Sequence, residues 1–427
     1  MTDKLSTEPY KGVRDFYPED MAIQKHIFAV WRKVAESYGY EEYTASLLEP
    51  AELYSAKTNE EHASEQTYTF TDRGERQVTL RPEMTPTLAR MIAARKRDLT
   101  FPIRWYSIPN LFRYERPQRG RLREHWQLNV DMFGSDSITA DVEVISIAYD
   151  IMRELGAQSS DFIVRLNSRK IWNELTDSLA LTPDQNQSLA RLIDKKAKIT
   201  VSEYANEEEA ILGDKATLFR ADMETLSRDA VPERLVSSEG VKELAQIRAR
   251  LVASGIPVVY DPTLMRGFTY YTGPVFELFD TDPKNPRALC GGGRYDRLLE
   301  LFSDDKIPAV GFGMGDVTIS DFLDTHKLLP TQTSSTDLML CLVDEKGRDE
   351  ASQLARHLRA GGVRVAVYEG TKKLGDQISI ASKKGIPFIV CIGEKEVAEG
   401  SYVLKELATG NEMTLDMAGI TAFFRTR

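Results

Sequence analysis

FRYERPQRGRLREHWQLNVDMFG, Phe112 to Gly134, packs basic, acidic and amide side chains onto what reads as a strand, a loop and a returning strand. Side chains two apart share one face of a strand, so Arg113 and Glu115 point the same way, as do His125, Gln127, Asn129 and Asp131. Trp126, Leu128, Val130 and Met132 take the opposite, apolar face. A solvated surface strand alternates too, but a polar face mixing these groups fits better the wall of a cleft that holds something charged. The intervening loop carries Arg116, Arg119, Arg121 and Arg123. Planar guanidinium forks match phosphate oxygens, so the loop suits polyphosphate.

Outward from this stretch, the strands Arg104 to Glu115, Glu124 to Phe133 and Pro274 to Asp280 predict a mainly antiparallel sheet with flanking helices. Ile27, Trp31, Val34 and Tyr38 recur at helical spacing, predicting a helix over Pro18 to Tyr38 that Gly39 stops. Tyr68 and Phe70, the turn Asp72-Arg73-Gly74, then Val78 and Leu80 read as a hairpin. From about Ser168 to Arg250 the pattern turns helical, as in an inserted helical segment with no catalytic signature. Thr331 to Thr336, TQTSST, is the best linker. Beyond it come a strand at Leu338 to Val343, a helix carrying Ala351, Leu354, Ala355 and Leu358, and a strand at Val363 to Tyr368. A helix at Leu374 to Lys384 and a strand at Phe388 to Ile392 complete the alternation of a small α/β domain.

The chain has 427 residues, enough for two to three domains, and is 42% hydrophobic and 28% charged. No apolar run approaches the roughly 18 residues of a membrane helix, and MTDKLSTEPYKG at the start has no apolar segment, so a cytoplasmic protein with no membrane partner is expected. Cys290, Cys341 and Cys391 form no CxxC pair and the five histidines no HExxH, so no zinc site and no metal site built from protein side chains is signalled. GFGMG, Gly311 to Gly315, is not a full GxGxxG, which argues against a nicotinamide cofactor. Nothing continues as GK[ST], which excludes a Walker loop. The net charge of -10 argues mildly against nucleic acid, but Lys372-Lys373 and Lys383-Lys384 could form a basic patch on an acidic protein. A solvated helix face explains those lysines equally well.

Four blocks together, LRPEMT (Leu80 to Thr85), the Phe112 to Gly134 stretch, LMRGFTYYTGPVFE (Leu264 to Glu277) and GGGRYDRLLELF (Gly291 to Phe302), resemble in content and order the class II aminoacyl-tRNA synthetases. Their wording is most similar to that of the histidyl-tRNA synthetase family. The resemblance implies an α+β fold: an antiparallel-sheet catalytic domain over 1–330, with the helical insertion at about 168–250, and an anticodon-binding α/β domain over 337–427. It implies activation of L-histidine by ATP with Mg²⁺, transfer to tRNA(His), and a homodimer paired through the helix ending near Tyr38 and a strand around Tyr43 to Glu49. Residue by residue, it places Arg113 and Arg266 at the α-phosphate, Glu115 at the adenine edge and Arg121 at the outer phosphates. Glu83, Thr85, Gln127, Asp131, Tyr270 and Tyr271 would form the histidine pocket, with Arg294 and Tyr295 near the ligand. Lys372, Lys373, Lys383 and Lys384 would meet tRNA.

The chain departs from the family's pattern at three places. Thr318 stands where an arginine is usual, Thr269 where an aspartate is, and Ser46 where a proline is. These departures leave two readings: a working synthetase in which a neighbour such as Arg297 or the loop arginines supplies the missing cation, or a synthetase-like regulatory subunit of ATP phosphoribosyltransferase. A nucleic-acid-binding module without chemistry would need only the C-terminal domain. Arg113, Glu115 and Arg121, which a histidine sensor would not require, favour the first.

Overall fold

The structure, a computed structural model, describes residues 5–55, 66–196, 199–265, 271–304, 306–331 and 334–426. Its strands are, in chain order, β1 (Glu41–Glu42), β2 (Leu48–Pro50), β3 (Tyr68–Thr71), β4 (Gln77–Leu80), β5 (Ile103–Ser107), β6 (Asn110–Phe112), β7 (Glu124–Phe133), β8 (Phe162–Ser168), β9 (Val258–Tyr260), β10 (Pro274–Asp280), β11 (Ala288–Arg294) and β12 (Ala309–Gly315) in the first of two compact units, and β13 (Leu338–Leu342), β14 (Val365–Val367), β15 (Phe388–Ile392), β16 (Tyr402–Glu406) and β17 (Glu412–Leu415) in the second. The first unit spans 1–329 and the second 330–427.

The alternation along β7 organises the first unit. Leu128, Val130 and Met132 are buried in one apolar cluster with Trp31, Val34, Ile145 and Ala148. Trp31 and Val34 come from the helix Pro18–Ser37, which starts with proline at its first position and Glu19 and Asp20 in its first turn, where the helix dipole favours acids. Tyr38 caps it and Gly39 leaves it at φ +79°. The helix Ile138–Glu154 contributes Ile145 and Ala148. With that face of β7 covered, Gln127, Asn129 and Asp131 necessarily look out on the other.

The strands run β1-β5-β7-β12-β11-β10-β8-β9, with β6 also on β7. All these pairs are antiparallel except β1 with β5 and β8 with β9. The expected strand Arg104 to Glu115 is interrupted. Ser107 pairs with Asn129 and Asn110 with Trp126, so one register persists, but Pro109 has no N–H to give and the ladder breaks there. Past Phe112, the Arg113 N–H still reaches the Arg123 carbonyl at 2.8 Å, whereas the Glu115 N–H turns back to the Arg113 carbonyl at 2.8 Å. Glu115 therefore does not share a strand face with Arg113. The strand expected around Tyr43 to Glu49 is likewise divided: β1 pairs with β5, β2 with β4, and the chain between them is irregular.

β2, β4 and β3 form a small sheet built on the expected hairpin. The Asp72 carboxylate accepts from the Gly74 and Arg76 N–H groups at 2.8 and 3.0 Å, which closes its turn. Buried Arg81 anchors the hairpin's end, donating to the carbonyls of Ala45 (2.7 Å), Ser46 (3.2 Å) and Asn110 (3.1 Å). The helical stretch comprises Arg169–Ser178, Pro183–Lys195, Val201–Leu212, Ala216–Ser227 and Glu239–Ala253. Its Trp172, Leu189, Phe219 and Ile247 belong to the same apolar cluster as the sheet.

In the second unit β14-β13-β15 are parallel and β16 and β17 add antiparallel strands beside β15. Leu354 and Leu358 of the helix Arg348–Ala360 pack on one side of this sheet, and Ala381 of the helix Leu374–Lys383 on the other. Buried Gln377 bonds both backbone groups of Leu342 at 2.8 Å, filling the place of a strand neighbour. No described helix is long and apolar enough to cross a membrane.

Candidate active site

The polar face of β7 forms the floor of a cavity of 340 Å³ lined by Glu83, Thr85, Gln127, Asn129, Asp131, Tyr271, Glu277 and Tyr295, a size suited to a small molecule. Glu83 reaches it because β4 ends at Leu80 and the helix Thr85–Arg95 begins just beyond. One carboxylate oxygen of Glu83 accepts from the Met84 N–H (2.7 Å), the Gln127 amide (3.2 Å) and the Asn129 amide (3.2 Å). The other accepts from Arg113 Nη2 at 3.0 Å. A carboxylate held by this many donors is fixed in place before any ligand arrives.

Glycines on the neighbouring strands make room for these side chains. Gly311 pairs with Asp131 across β12 and β7, and a Cβ there would sit 2.3 Å from Asp131 Oδ1. At Gly313 a Cβ would sit 2.6 Å from the Gln127 amide nitrogen. The glycines of β12 are thus complements to the β7 side chains.

Asp131 lies at the base of the cavity. The Tyr295 hydroxyl donates to its Oδ1, while Oδ2 is buried with no hydrogen-bond partner. Burial pushes the carboxyl up to about 7; the Tyr295 hydrogen bond opposes this and the nearby Glu83 charge adds to it. A cationic or N–H-bearing ligand would satisfy the orphaned oxygen.

A second cavity, of 140 Å³, adjoins the first, with Gln127, Gly291 and Gly313 lining both. Arg113, Glu115, Arg121, His125, Arg287 and Thr318 line it. Arg121 is ion-paired to the well-buried Glu115 side chain, with Nη2 at 2.6 Å from Oε1. Arg113 points from this cavity toward Glu83. His125 is held neutral, its value lowered to about 3 by burial and then by the charges of Arg113, Arg14 and Arg121. The lining is therefore three arginines against one carboxylate, a surplus of positive charge that suits a polyanion.

The structure brings Glu83, Thr85, Gln127, Asp131 and Tyr271 around the first cavity and Arg113, Glu115 and Arg121 around the second. Arg266, Thr269 and Tyr270 lie outside the described residues. Arg294 lines neither cavity. It is buried and turned to the helix Ile138–Glu154, where Nη2 lies 2.5 Å from Asp141 Oδ2 and Nη1 donates to the Ser135 carbonyl at 2.9 Å. Arg297, read as a compensating cation, is on the surface and pairs with Glu300 at 2.9 Å. Lys373 caps the start of the helix Leu374–Lys383 and Lys384 caps its end, about 17 Å apart at helical rise. Asn129 and Glu277, to which the sequence reading gave no role, also line the first cavity; the period-two pattern of β7 already marked Asn129.

The sequence pattern of the family described as "Histidyl-tRNA synthetase" matches residues 12–317, and that of "Anticodon binding domain" matches residues 334–427. The histidine–tRNA ligase of Leptospira biflexa is 44% identical over 424 residues, covering 97% of this chain and 96% of that protein. The histidine–tRNA ligase of Thermoplasma volcanium is 36% identical over 430 residues, covering 98% of each. Among solved structures, the histidyl-tRNA synthetase of Nostoc sp. PCC 7120 superposes with a TM-score of 0.83 at 25% identity, covering 99% of this chain and 100% of that one. A Bacillus halodurans protein described as an ATP phosphoribosyltransferase regulatory subunit/histidyl-tRNA synthetase shares the fold, with a TM-score of 0.75 at 24% identity over 91% of this chain and 99% of that one. With described residues of three blocks on the large sheet and LRPEMT at the end of the hairpin, around two adjoining cavities, and with relatives matching over nearly the full chain, the chain belongs to the histidyl-tRNA synthetase family.

Proposed function

We propose that this protein activates L-histidine with MgATP to histidyl-adenylate and transfers the histidyl group to the 3′ end of tRNA(His). The observation that carries the reading is the adjoining pair of cavities, one lined by carboxylates and amides, the other by arginines, with Glu83 and Arg113 bonded across their boundary. Glu83, Thr85 and Gln127 would take the ammonium group, Asp131 an imidazole nitrogen, and Tyr271, with Tyr270, the ring. Buried polar groups of this kind discriminate against ligands that leave them unpaired.

In the activation step a histidine carboxylate oxygen attacks the α-phosphorus. A new O–P bond forms as the bond to pyrophosphate breaks. The carboxylate is already ionised, so no general base is needed, and the requirement is stabilisation of charge on the phosphoryl oxygens. Arg113, at the boundary, is suited to the α-phosphate, with Arg266 as a second cation there. Arg121 is suited to the outer phosphates and Glu115 to the adenine edge. Mg²⁺ would enter with the ATP phosphates, as is usual for this ion; among the described residues no three His, Cys, Asp or Glu side chains cluster as a ligand set.

Residues 337–427 would read the anticodon end of tRNA, and 1–330 would carry the chemistry as one subunit of a cytoplasmic homodimer. Reversal of Lys372 and Lys373, or of Lys383 and Lys384, to glutamate should weaken tRNA binding and reduce its salt slope by about 1 per lost phosphate contact. The regulatory-subunit reading is less supported, since Arg113 and Arg121 line the second cavity and the C-terminal unit matches the anticodon-binding family. Histidine-dependent exchange of pyrophosphate into ATP, followed by charging of tRNA(His), tests the proposal. Histidine binding without exchange would favour the regulatory reading.

A further inference from the structure

Arg287 immediately precedes β11 and belongs to the wall of the arginine-lined cavity, yet it lies outside every block of sequence that pointed to a site. Its surroundings hold it there. The Nε–H donates to the Arg119 carbonyl at 3.1 Å, and its methylene stem lies against Gly120, where an added Cβ would come within 2.8 Å of Arg287 Cδ. Gly120 has φ +70°, a conformation that favours glycine, so the loop tip can approach this closely. The tip is itself clamped: the Gly120 N–H donates to Asp321 at 3.0 Å and Arg119 Nε donates to Asn285 at 2.9 Å.

Thr318, the position at which the chain lacks its family's arginine, is next to this stem: the same Cβ at Gly120 would lie 3.3 Å from Thr318 Cγ2. The Thr318 hydroxyl turns to the backbone carbonyls of Gly315 (3.2 Å) and Leu289 (3.3 Å), so Thr318 brings no charge to the cavity. Arg113 marks the histidine end of the cavity through its bond to Glu83. Arg287 and Thr318, packed on the tip of the arginine loop beside Arg121, mark the other.

We propose that Arg287 binds the β- and γ-phosphates of ATP, supplying from the residue before β11 the cation that Thr318 does not. The assignment rests on the reading of the second cavity as the ATP site. An α-phosphate at Arg113 directs the rest of the triphosphate toward Arg121 and Arg287, and the planar fork of a guanidinium matches phosphate oxygens.

The test is pyrophosphate exchange by the full chain, with KM measured separately for histidine, ATP and pyrophosphate in the unsubstituted protein, Arg287→Gln and Arg287→Lys. Glutamine keeps a packing stem and an amide N–H for the Arg119 carbonyl, which guards the fold. The expected result is a rise of about tenfold or more in KM for ATP and for pyrophosphate in Arg287→Gln, with lysine intermediate and KM for histidine within about twofold. Unchanged constants would overturn the proposal. A rise for ATP but not for pyrophosphate would also overturn it, by placing Arg287 at the nucleoside. So would a parallel loss for all three with a lowered Tm, which would make Arg287 structural. Absence of exchange in the unsubstituted protein would instead overturn the function proposed above, so the two failures are distinct.

Discussion

Arg113 Nη2 and Glu83 Oε2 meet at 3.0 Å, each side chain about one third exposed, at the boundary between the amide-lined and arginine-lined cavities. A residue read as belonging to histidine and one read as belonging to ATP are therefore a single electrostatic unit before either ligand is present. An exposed pair of this kind contributes little to stability. Its consequence is positional, because each group orients the other toward the place where carboxylate and phosphate would react.

That coupling is measurable. Glu83→Gln keeps the shape but removes the charge that donors from Met84, Thr85, Arg113, Gln127 and Asn129 share, and should raise KM for histidine by about tenfold or more. Combined with Arg113→Lys, the losses should not add: a double-mutant cycle on kcat/KM should return about 0.5 kcal/mol or more of interaction. Strict additivity would mean that the pair is an incidental contact.

Asp131 predicts a pH dependence. Its carboxyl is raised by burial from 3.8 to about 7, so the folded chain holds a proton that the unfolded chain has released between those values. Its contribution to stability accordingly declines as pH rises from about 4 to about 7. A ligand N–H on the orphaned Oδ2 favours the charged form, so histidine affinity should rise between about pH 6 and about pH 8 relative to Asp131→Asn, with the difference between the two proteins cancelling histidine's own titration. Parallel pH profiles for the two proteins would place Asp131 outside the ligand contact.

Two glycine substitutions two residues apart on β12 should fail differently. Gly311→Ala sets a Cβ 2.3 Å from Asp131 Oδ1 and 2.5 Å from the Val130 carbonyl, which is backbone and cannot yield, so denaturant unfolding should register a loss of about 1–3 kcal/mol. Gly313→Ala meets the Gln127 side-chain amide first. The amide can rotate, so this protein should keep most of its stability while KM for histidine rises, because Gln127 leaves Glu83. Equal effects on stability would show that the polar face of β7 is not built against these glycines.

Arg294 should behave as a structural residue. Arg294→Leu would leave Asp141 buried without its cation, a loss of about 3–5 kcal/mol by analogy with other broken buried pairs. The Tm should fall well below that of the unsubstituted protein. At temperatures where the variant is folded, KM for histidine and ATP should be unchanged. A selective rise in either would return Arg294 to the site.

What could be read from the sequence was what local periodicity carries. The two faces of β7, the helix Pro18–Ser37, the hairpin of β3 and β4 and the strand Pro274–Asp280 follow from spacings of two or of three and four residues. Each depends only on near neighbours. The same period identified Gln127 and Asp131 as partners on one face. Proline at 109 and the turn at Glu115 limited that reading, because alternation says which side chains could share a face and not whether the backbone stays extended.

Tertiary structure alone decided which way the arginines turn. Arg294 stands in a glycine-rich block beside Tyr295, and nothing local distinguishes them. Yet Tyr295 faces Asp131 and Arg294 faces Asp141, a partner 153 residues away in the chain. Arg287 reaches the cavity only because the loop tip at Gly120, 167 residues earlier by the numbering, folds against its stem. The sequence by itself determined the sheet, its apolar face and the kind of chemistry its polar face can bear. Long flexible cationic side chains take their direction from the nearest uncompensated charge, and that charge is brought near only when distant strands pair.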